Sequence, residues 1–586
     1  MRISRKGAAA IALGIGATFA ATACGGAAGA ADTGPVITDG GTTETAPAPT
    51  ATTDADPVSL TIAVSEGGLV ESNNPWFASS ARQFGYVFVT TEPMFIFNQL
   101  DPENMTPWLA TSYEWSEDFT TVAITAREGV TWSDGVPFGA HDIAFTFELI
   151  AAAEGIPAGN RPIATEVVGN VAYITYERPV LVSPSAPMQT MIVPKHFLEN
   201  YIPPNPTPDW NGEAGDPNEI AGSTLIGMPG TGPFVKTVFT SHAVTLEARD
   251  DWWGGDLAID TLHFVSYQNN QAVQNALQTG AADWFQGMLP GQAELVANNA
   301  HLSDWGASAL DTDVLFINHT RAPFDSLPFR QAMNLVIDRD IHATIVHEGR
   351  VQPLASVTGL SPVTGERFIA PQFVGQNFRV DADEARAILA DAGYSWDAAG
   401  ALLNPAGEPV SFGISVPPDW HDFVNMAELV THQARNLLGV DAELDLMDWG
   451  QLWGYRAEGN FQATISALAP EARTPFTPFE QTMGTEISAP LGEMAAWNWG
   501  RFSNEDADAA IQLYLSPDAD ARVEAVNRLQ EIYVEQVPVL PLGARPLNSV
   551  FNSGRFSGWP SNDNPFAPNQ TLQHTVLLVL TNLTVN

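Results

Sequence analysis

A single cysteine among 586 residues excludes an intramolecular disulfide, a thiolate-rich zinc site and an iron–sulfur cluster. Basic residues are scarce as well: 25 Lys and Arg stand against 67 Asp and Glu, a formal net charge of −42. So negative a chain repels phosphate backbones and anionic headgroups, which excludes nucleic acid as a partner and electrostatic docking on a membrane. Beyond the N-terminal segment no run reaches the roughly 18 apolar residues of a membrane-spanning helix. The last apolar run, 576–580, has the length of a strand. Catalytic signatures are missing too: the chain has no G-x-S-x-G elbow, no H-E-x-x-H helix and no G-x-x-x-x-G-K-[ST] phosphate loop. Gly230-Thr231-Gly232-Pro233 is glycine-rich, but Pro233 removes an amide that a phosphate nest needs, so it reads as a turn. The eleven histidines are scattered. His342 and His347 lie five apart on a predicted helix, a spacing that does not put them on one α-helical face. No metal, cofactor or catalytic residue is therefore expected. Carboxylates are too abundant for any pair to signal a glycosidase.

What is present is core material and an address. Hydrophobic residues make up 45% of the chain and charged residues 16%, enough apolar surface for several domains. Arg2, Arg5 and Lys6 precede an apolar stretch over 8–19, and small residues lead into Ala21-Thr22-Ala23-Cys24. This is the three-part layout of a secretory signal. The lone Cys24 sits where cleavage is expected, which resembles a bacterial lipoprotein signal with Ala21 in the place of the usual Leu. Residues 1–23 are then the signal peptide, and Cys24 carries the lipid. Of the 33 residues in 25–57, 26 are Ala, Thr, Gly or Pro, five are acidic and none is basic. Such a segment buries too little apolar area to offset the entropy of folding, so 24–57 reads as a lipid-anchored flexible linker.

From Val58 onward the patterning alternates between strand and helix. Residues 60–64, 121–125 and 171–176 are β-branched and alternating, hence strands. Residues 142–152 carry Ile143, Phe147 and Ile150 on one helical face. The stretch 203–233, rich in Pro, Gly, Asn and Asp, reads as a loop. Asp381 caps a helix that ends at Gly393, and a second helix over 423–438 stops at Gly439. Val523, Val526, Leu529, Ile532 and Tyr533 form a core stripe before Pro538, and strands at 412–416 and 442–446 lie between the helices. Mixed strand and helix order implies α/β lobes.

Several ordered motifs resemble one family. Pro107-Trp108-Leu109-Ala110, Ser116-Glu117-Asp118 and Arg127-Glu128-Gly129-Val130-Thr131-Trp132-Ser133-Asp134-Gly135-Val136-Pro137-Phe138 are followed by Gly230–Phe234, Arg249-Asp250-Asp251-Trp252-Trp253-Gly254-Gly255, Ala276–Asp283, Phe329–Arg339 and Asp383–Tyr394. In this order and spacing they are similar to the extracellular solute-binding proteins of ABC importers, family 5. The resemblance implies an α/β, periplasmic-binding-protein-like two-lobed fold (type II, cluster C) with an extra small subdomain. It places lobe I at 58–98, 193–305 and 541–586, the small subdomain at 99–192 and lobe II at 306–540. It further implies hinged closure around a ligand, and membrane permease subunits with cytoplasmic ATPases as partners. The protein would then sit on the extracytoplasmic face of the bacterial cell membrane and catalyse nothing. A secreted hydrolase is the alternative.

For the ligand, the resemblance points to Trp449, which follows the 442–446 strand at the place of a cleft tryptophan in peptide-binding relatives. Glu471 falls near the Asp that holds a peptide ammonium in those relatives, although Leu468 stands where they carry Trp. Glu92–Asn98 and the tail Ser557-Gly558-Trp559-Pro560-Ser561 resemble the oligosaccharide-binding branch. Trp497-Asn498-Trp499 adds an aromatic–amide–aromatic cluster suited to sugar faces and hydroxyls. A β-linked oligosaccharide therefore ranks above an oligopeptide, with nickel and haem behind both.

Overall fold

Alternating side chains that are apolar on both faces call for a sheet covered on both sides, and this sheet is the spine of the molecule. The computed structural model describes residues 57–586 apart from 65–68, 77–84, 154–155, 157–159, 182–184, 202–215, 362–364, 419 and 469–473, and leaves the side chains of 308–310 and 449 undescribed. The signal peptide, Cys24 and the linker up to residue 56 lie outside these residues, as does most of the first half of the expected 203–233 loop. No described helix is long and apolar enough to cross a membrane.

Ten strands form one sheet. Its order is Asp441–Leu446, Ser411–Val416, Ala463–Leu468, Leu302–Ile317, Val539–Asn552, Trp284–Gln286, Ser59–Val64, Thr261–Ser266, Ala243–Ala248 and Phe234–Phe239. At one end Ser59–Val64 runs parallel to both Thr261–Ser266 and Trp284–Gln286. Leu60, Ile62, Leu262 and Phe264 face one core, while Ala63, Phe285 and Val550 face another on the opposite side. At the other end Val314 and Phe316 enter one core and Leu315 and Ile317 a second, together with Phe412, Ile414 and Ile465. Each lobe thus has its own pair of cores, and the sheet is what they share.

The sharing is done by two long antiparallel strands, Leu302–Ile317 and Val539–Asn552. The N-terminal half of the first pairs with the C-terminal half of the second beside Trp284–Gln286, and their other halves pair beside Ala463–Leu468. Between the halves the register slips. Ala307 faces Leu547 and Asp311 faces Arg545, so extra residues bulge from the first strand. A break in pairing is where a strand bends most easily, and this one lies between the lobes.

A separate four-stranded antiparallel sheet, ordered Ala110–Trp115, Thr121–Ala126, Val171–Tyr176 and Pro162–Val168, forms the small subdomain with helix Ala140–Ala152 packed on it. Its apolar face joins the first lobe's core without a gap. The turns that build it use Gly129 (φ 80°) and Gly135 (φ 85°), the left-handed conformation that favours glycine. Gly230 and Gly232 pass so close to the backbone of Val89 and Thr90 that no side chain fits there, in line with a structural turn.

Most predicted elements are found within a residue or two: strands Ser59–Val64, Thr121–Ala126 and Val171–Tyr176, and helix Ala382–Asp391 with the Asp381 side chain accepting from the Glu384 amide. Three expectations are corrected. The apolar run 576–580 lies in helix Thr575–Asn582, because Val576, Leu577, Val579 and Leu580 all turn inward at helical spacing. Val523 is 60% exposed and falls off the buried stripe of helix Ala519–Gln536. The helix predicted around His342 and His347 is not α-helical throughout, since His342–Val346 is a π turn that His347 caps.

The small subdomain is fastened to the first lobe at one buried carboxylate. Glu92 accepts the indole N–H of Trp108 (2.6 Å) and Trp252 (3.2 Å) on one oxygen and that of Trp253 (3.1 Å) on the other. The Arg127 guanidinium lies 4.4 Å from the Trp253 ring centroid. Full burial pushes the Glu92 pKa from 4.5 up to about 7, against the lowering pull of its indole donors. The folded state therefore holds this proton more tightly than the unfolded chain does. The associated stabilisation is complete below about pH 4.5 and is lost as pH rises through about 7. In urea unfolding, the stability difference between the wild type and Glu92→Gln should change by about 3 kcal/mol across this window. A difference that does not vary with pH would mean that Glu92 stays ionised.

Candidate functional site

Where the small subdomain faces the second lobe, the chain leaves a cleft of about 1080 Å³. Pockets for small ligands usually enclose roughly 300–1,000 Å³, so this one has room for a short oligomer. One wall comes from helix Ala140–Ala152 through Phe147 and Ile150, from the segment after strand Val171–Tyr176 through Tyr176 and Arg178, and from Trp76 and Met191. The other comes from helix Phe476–Met483 through Phe476 and Glu480, from Glu486 and Ile487 beyond it, and from Asp508 and Ile511 on helix Glu505–Tyr514.

The walls differ in charge. Arg178 is the cation of the first, and Glu480, Glu486 and Asp508 are the anions of the second. Asp508 is already engaged, accepting from the Thr485 amide (3.0 Å) and hydroxyl (2.6 Å), which fixes the loop after helix Phe476–Met483. The pKa of Glu480 is raised, first by burial and then by the like charge of Glu486. A cation entering beside the two carboxylates would relieve that repulsion. The arrangement offers apolar and aromatic surface between an acidic wall and a basic one. No nucleophile–base pair is seen among the described lining residues.

The residues expected from sequence are placed variously. Trp449 opens helix Trp449–Ala457, whose first turn is capped by Asp448 accepting from the Gly450 amide, but its side chain is not described. Glu471 lies outside the described residues. Trp497 is half-buried and stacks on Trp499 at 4.6 Å, and its amide donates to Ile487, a residue of the cleft wall. Trp499 is 1% exposed, packed on Phe316 with the Arg456 guanidinium 4.0 Å from its ring centroid. Asn498 is buried at φ 46°; its side-chain amide donates to the Gly484 and Phe502 carbonyls, and its carbonyl accepts from the Phe502 amide. Neither Asn498 nor Trp499 lines the cleft; both brace the loop behind its acidic wall.

Sequence reasoning missed Trp76, Arg178, Glu480 and Glu486. Each belongs to an ordinary-looking segment, and only the fold brings positions some 300 residues apart to one cavity.

Comparison with known proteins follows the same outline. A family model described as bacterial extracellular solute-binding proteins, family 5 Middle, matches residues 104–489. The chain is 22% identical over 537 residues to the "probable peptide-binding protein YejA" of Agrobacterium fabrum, covering 82% of this chain and 83% of that one. A periplasmic oligopeptide-binding protein of Thermotoga maritima, solved with mannohexaose bound, superposes with a TM-score of 0.76 at 21% identity, over 91% of this chain and 100% of the other. The oligopeptide-binding protein AppA of Bacillus subtilis, solved with a nonapeptide, does so at 0.70 and 16% identity, over 90% and 99%. The two-lobed type II fold expected from sequence is thus present, and with a match across well over half its length, the chain belongs to the bacterial extracellular solute-binding proteins of family 5.

Proposed function

We propose that this protein is the substrate-binding component of an ABC importer, taking a short oligopeptide between its lobes and passing it unaltered to the membrane permease. The observation that carries this reading is the charge division across the cleft, with Arg178 on one wall and Glu480 and Glu486 on the other. A zwitterionic peptide offers an ammonium to the carboxylates and a carboxylate to the guanidinium, while its side chains meet Trp76, Phe147 and Phe476. Closure bends the crossing strands at their register slip, and ligand favours the closed form through its contacts to both walls. The lobes are taken as 58–98 with 193–305 and 541–586, and 306–540, with 99–192 as the small subdomain. The peptide-binding name of the Agrobacterium relative and the nonapeptide in the Bacillus neighbour support an oligopeptide as the ligand.

A β-linked oligosaccharide, ranked first from sequence, becomes the second reading. It is supported by the mannohexaose in the Thermotoga neighbour and by the half-buried Trp497 stacked on Trp499 beside the cleft wall. The acidic wall reverses the order, because a neutral sugar leaves Glu480 and Glu486 facing each other's charge.

Isothermal titration and thermal shift with di- to hexapeptides and with cello-oligosaccharides separate the two readings. Glu480→Gln should weaken the bound peptide by about 1.5–3 kcal/mol, the range for a hydrogen bond to a charged group, and Arg178→Gln should do likewise. Binding of a cello-oligosaccharide that both substitutions leave unchanged would instead select the sugar. Any product released from a bound candidate would point to the hydrolase alternative.

Two residues outside the described contacts have their own tests. Trp449→Ala should weaken the ligand by about 1–3 kcal/mol if its ring reaches the cleft, and unchanged affinity removes it from the site. Lipid anchoring at Cys24 predicts that Cys24→Ser releases the protein into the medium, since two acyl chains hold stably what none can. Full retention on cells would count against the anchor.

A further inference from the structure

We propose that Asp313, His342 and His347 form a binding site for a divalent transition-metal ion of the zinc class, in the second lobe beside the crossing strands and apart from the ligand cleft. The two histidines are five apart, which in an α-helix would send them to different faces. The chain instead makes a π turn over His342–Val346. Its i→i+5 geometry brings residue 347 over residue 342, and the ring centroids are 5.0 Å apart. Both rings turn toward Asp313 on strand Leu302–Ile317. His347 Nε2 lies 2.9 Å from Asp313 Oδ2 and His342 Nε2 lies 3.7 Å from the same oxygen. One ligand atom from each residue falls within 4.8 Å of the other two. Tetrahedral zinc, with bonds of about 2.0–2.2 Å, needs its ligand atoms roughly 3.4 Å apart, so small ring adjustments suffice to admit an ion.

Burial sets this trio apart from an ordinary surface cluster. All three residues are at most 1% exposed. Both ring nitrogens of His342 and Nδ1 of His347 are buried without a hydrogen-bond partner. Unpartnered buried polar atoms are rare and call for an explanation, and an ion ligated beside Asp313 Oδ2 supplies one for His342 Nε2, the nitrogen that faces this oxygen without bonding it. Gly543 on the second crossing strand makes the pocket possible, because any side chain there would collide with the His342 ring. The carboxylate is prepared as well. Arg545 Nη1 donates to Asp313 Oδ1 at 2.8 Å, leaving Oδ2 to face the histidines, and Arg545 Nη2 is held by Asp422 at 2.6 Å. Such an outer partner orients a ligating carboxylate. Arg339, a second buried guanidinium nearby, donates to the carbonyls of Pro541, Asn334 and Ile337. An ion at this place ties the first crossing strand to the helical segment of the second lobe.

The test uses the purified protein stripped with a chelator, dialysed against zinc and assayed for bound metal. One zinc per chain is expected to be retained, and the His342→Gln/His347→Gln double variant should retain less than a tenth of that. Zinc should also raise the melting temperature of the wild type and leave that of the double variant unchanged. Equal zinc in the two proteins, or none in either, overturns the proposal. Wild-type crystals grown with zinc and measured at its absorption edge give an answer that needs no variant. An anomalous peak within bonding distance of Asp313 Oδ2 and both imidazoles supports the site, and a map empty there overturns it.

Discussion

The architecture depends on the pairing of Leu302–Ile317 with Val539–Asn552. Each strand is long enough to belong to two lobes, and each lobe completes its sheet on one half of the pair. Backbone hydrogen bonds hold a ribbon stiffly along its length but leave it free to bend where the ladder is broken. The slip between Ala307 and Asp311 is such a break, and it lies between the two sets of cores. A pair of rigid bodies with one compliant ribbon between them suits a cleft that opens and shuts, because motion is confined to a few backbone torsions while both interiors stay packed.

Much of this fold was legible in the sequence for a local reason. Strands such as Ser59–Val64 and Val171–Tyr176 announce themselves by alternation, and helix Ala382–Asp391 by its Asp381 cap, because the determining residues are adjacent. The failures share a cause of the opposite kind. The run 576–580 is apolar on all sides and short, so period alone could not tell a buried helix from a buried strand; the surrounding core decided. The π turn at His342–Val346 left no trace in the hydrophobic spacing. The four-residue step from Ala307 to Asp311 reads in sequence as an ordinary change of texture near residue 306.

The candidate site was far less legible. Motifs such as Arg127–Phe138 and Arg249–Gly255 stood out because turns and close packing constrain them, and they build the scaffold. The cleft walls are made of single residues, Arg178 on one side and Glu480 and Glu486 on the other, which carry meaning only opposite each other. In a chain this acidic no individual glutamate is conspicuous. In the tryptophan cluster that did attract notice, Asn498 and Trp499 are buried behind the acidic wall, and half-buried Trp497 stacks on Trp499 beside it.

The order of strands also bears on how the molecule is made. Val539–Asn552 lies in the middle of the ten-stranded sheet, between Leu302–Ile317 and Trp284–Gln286, yet it follows the other nine strands of that sheet in chain order. Until it arrives, the two halves of the sheet have no common neighbour, and the edges of both waiting strands stay open. A chain emerging N-terminus first therefore leaves this sheet open at its centre until its last strand is made, and a truncation before Val539 would remove the seam that joins the lobes.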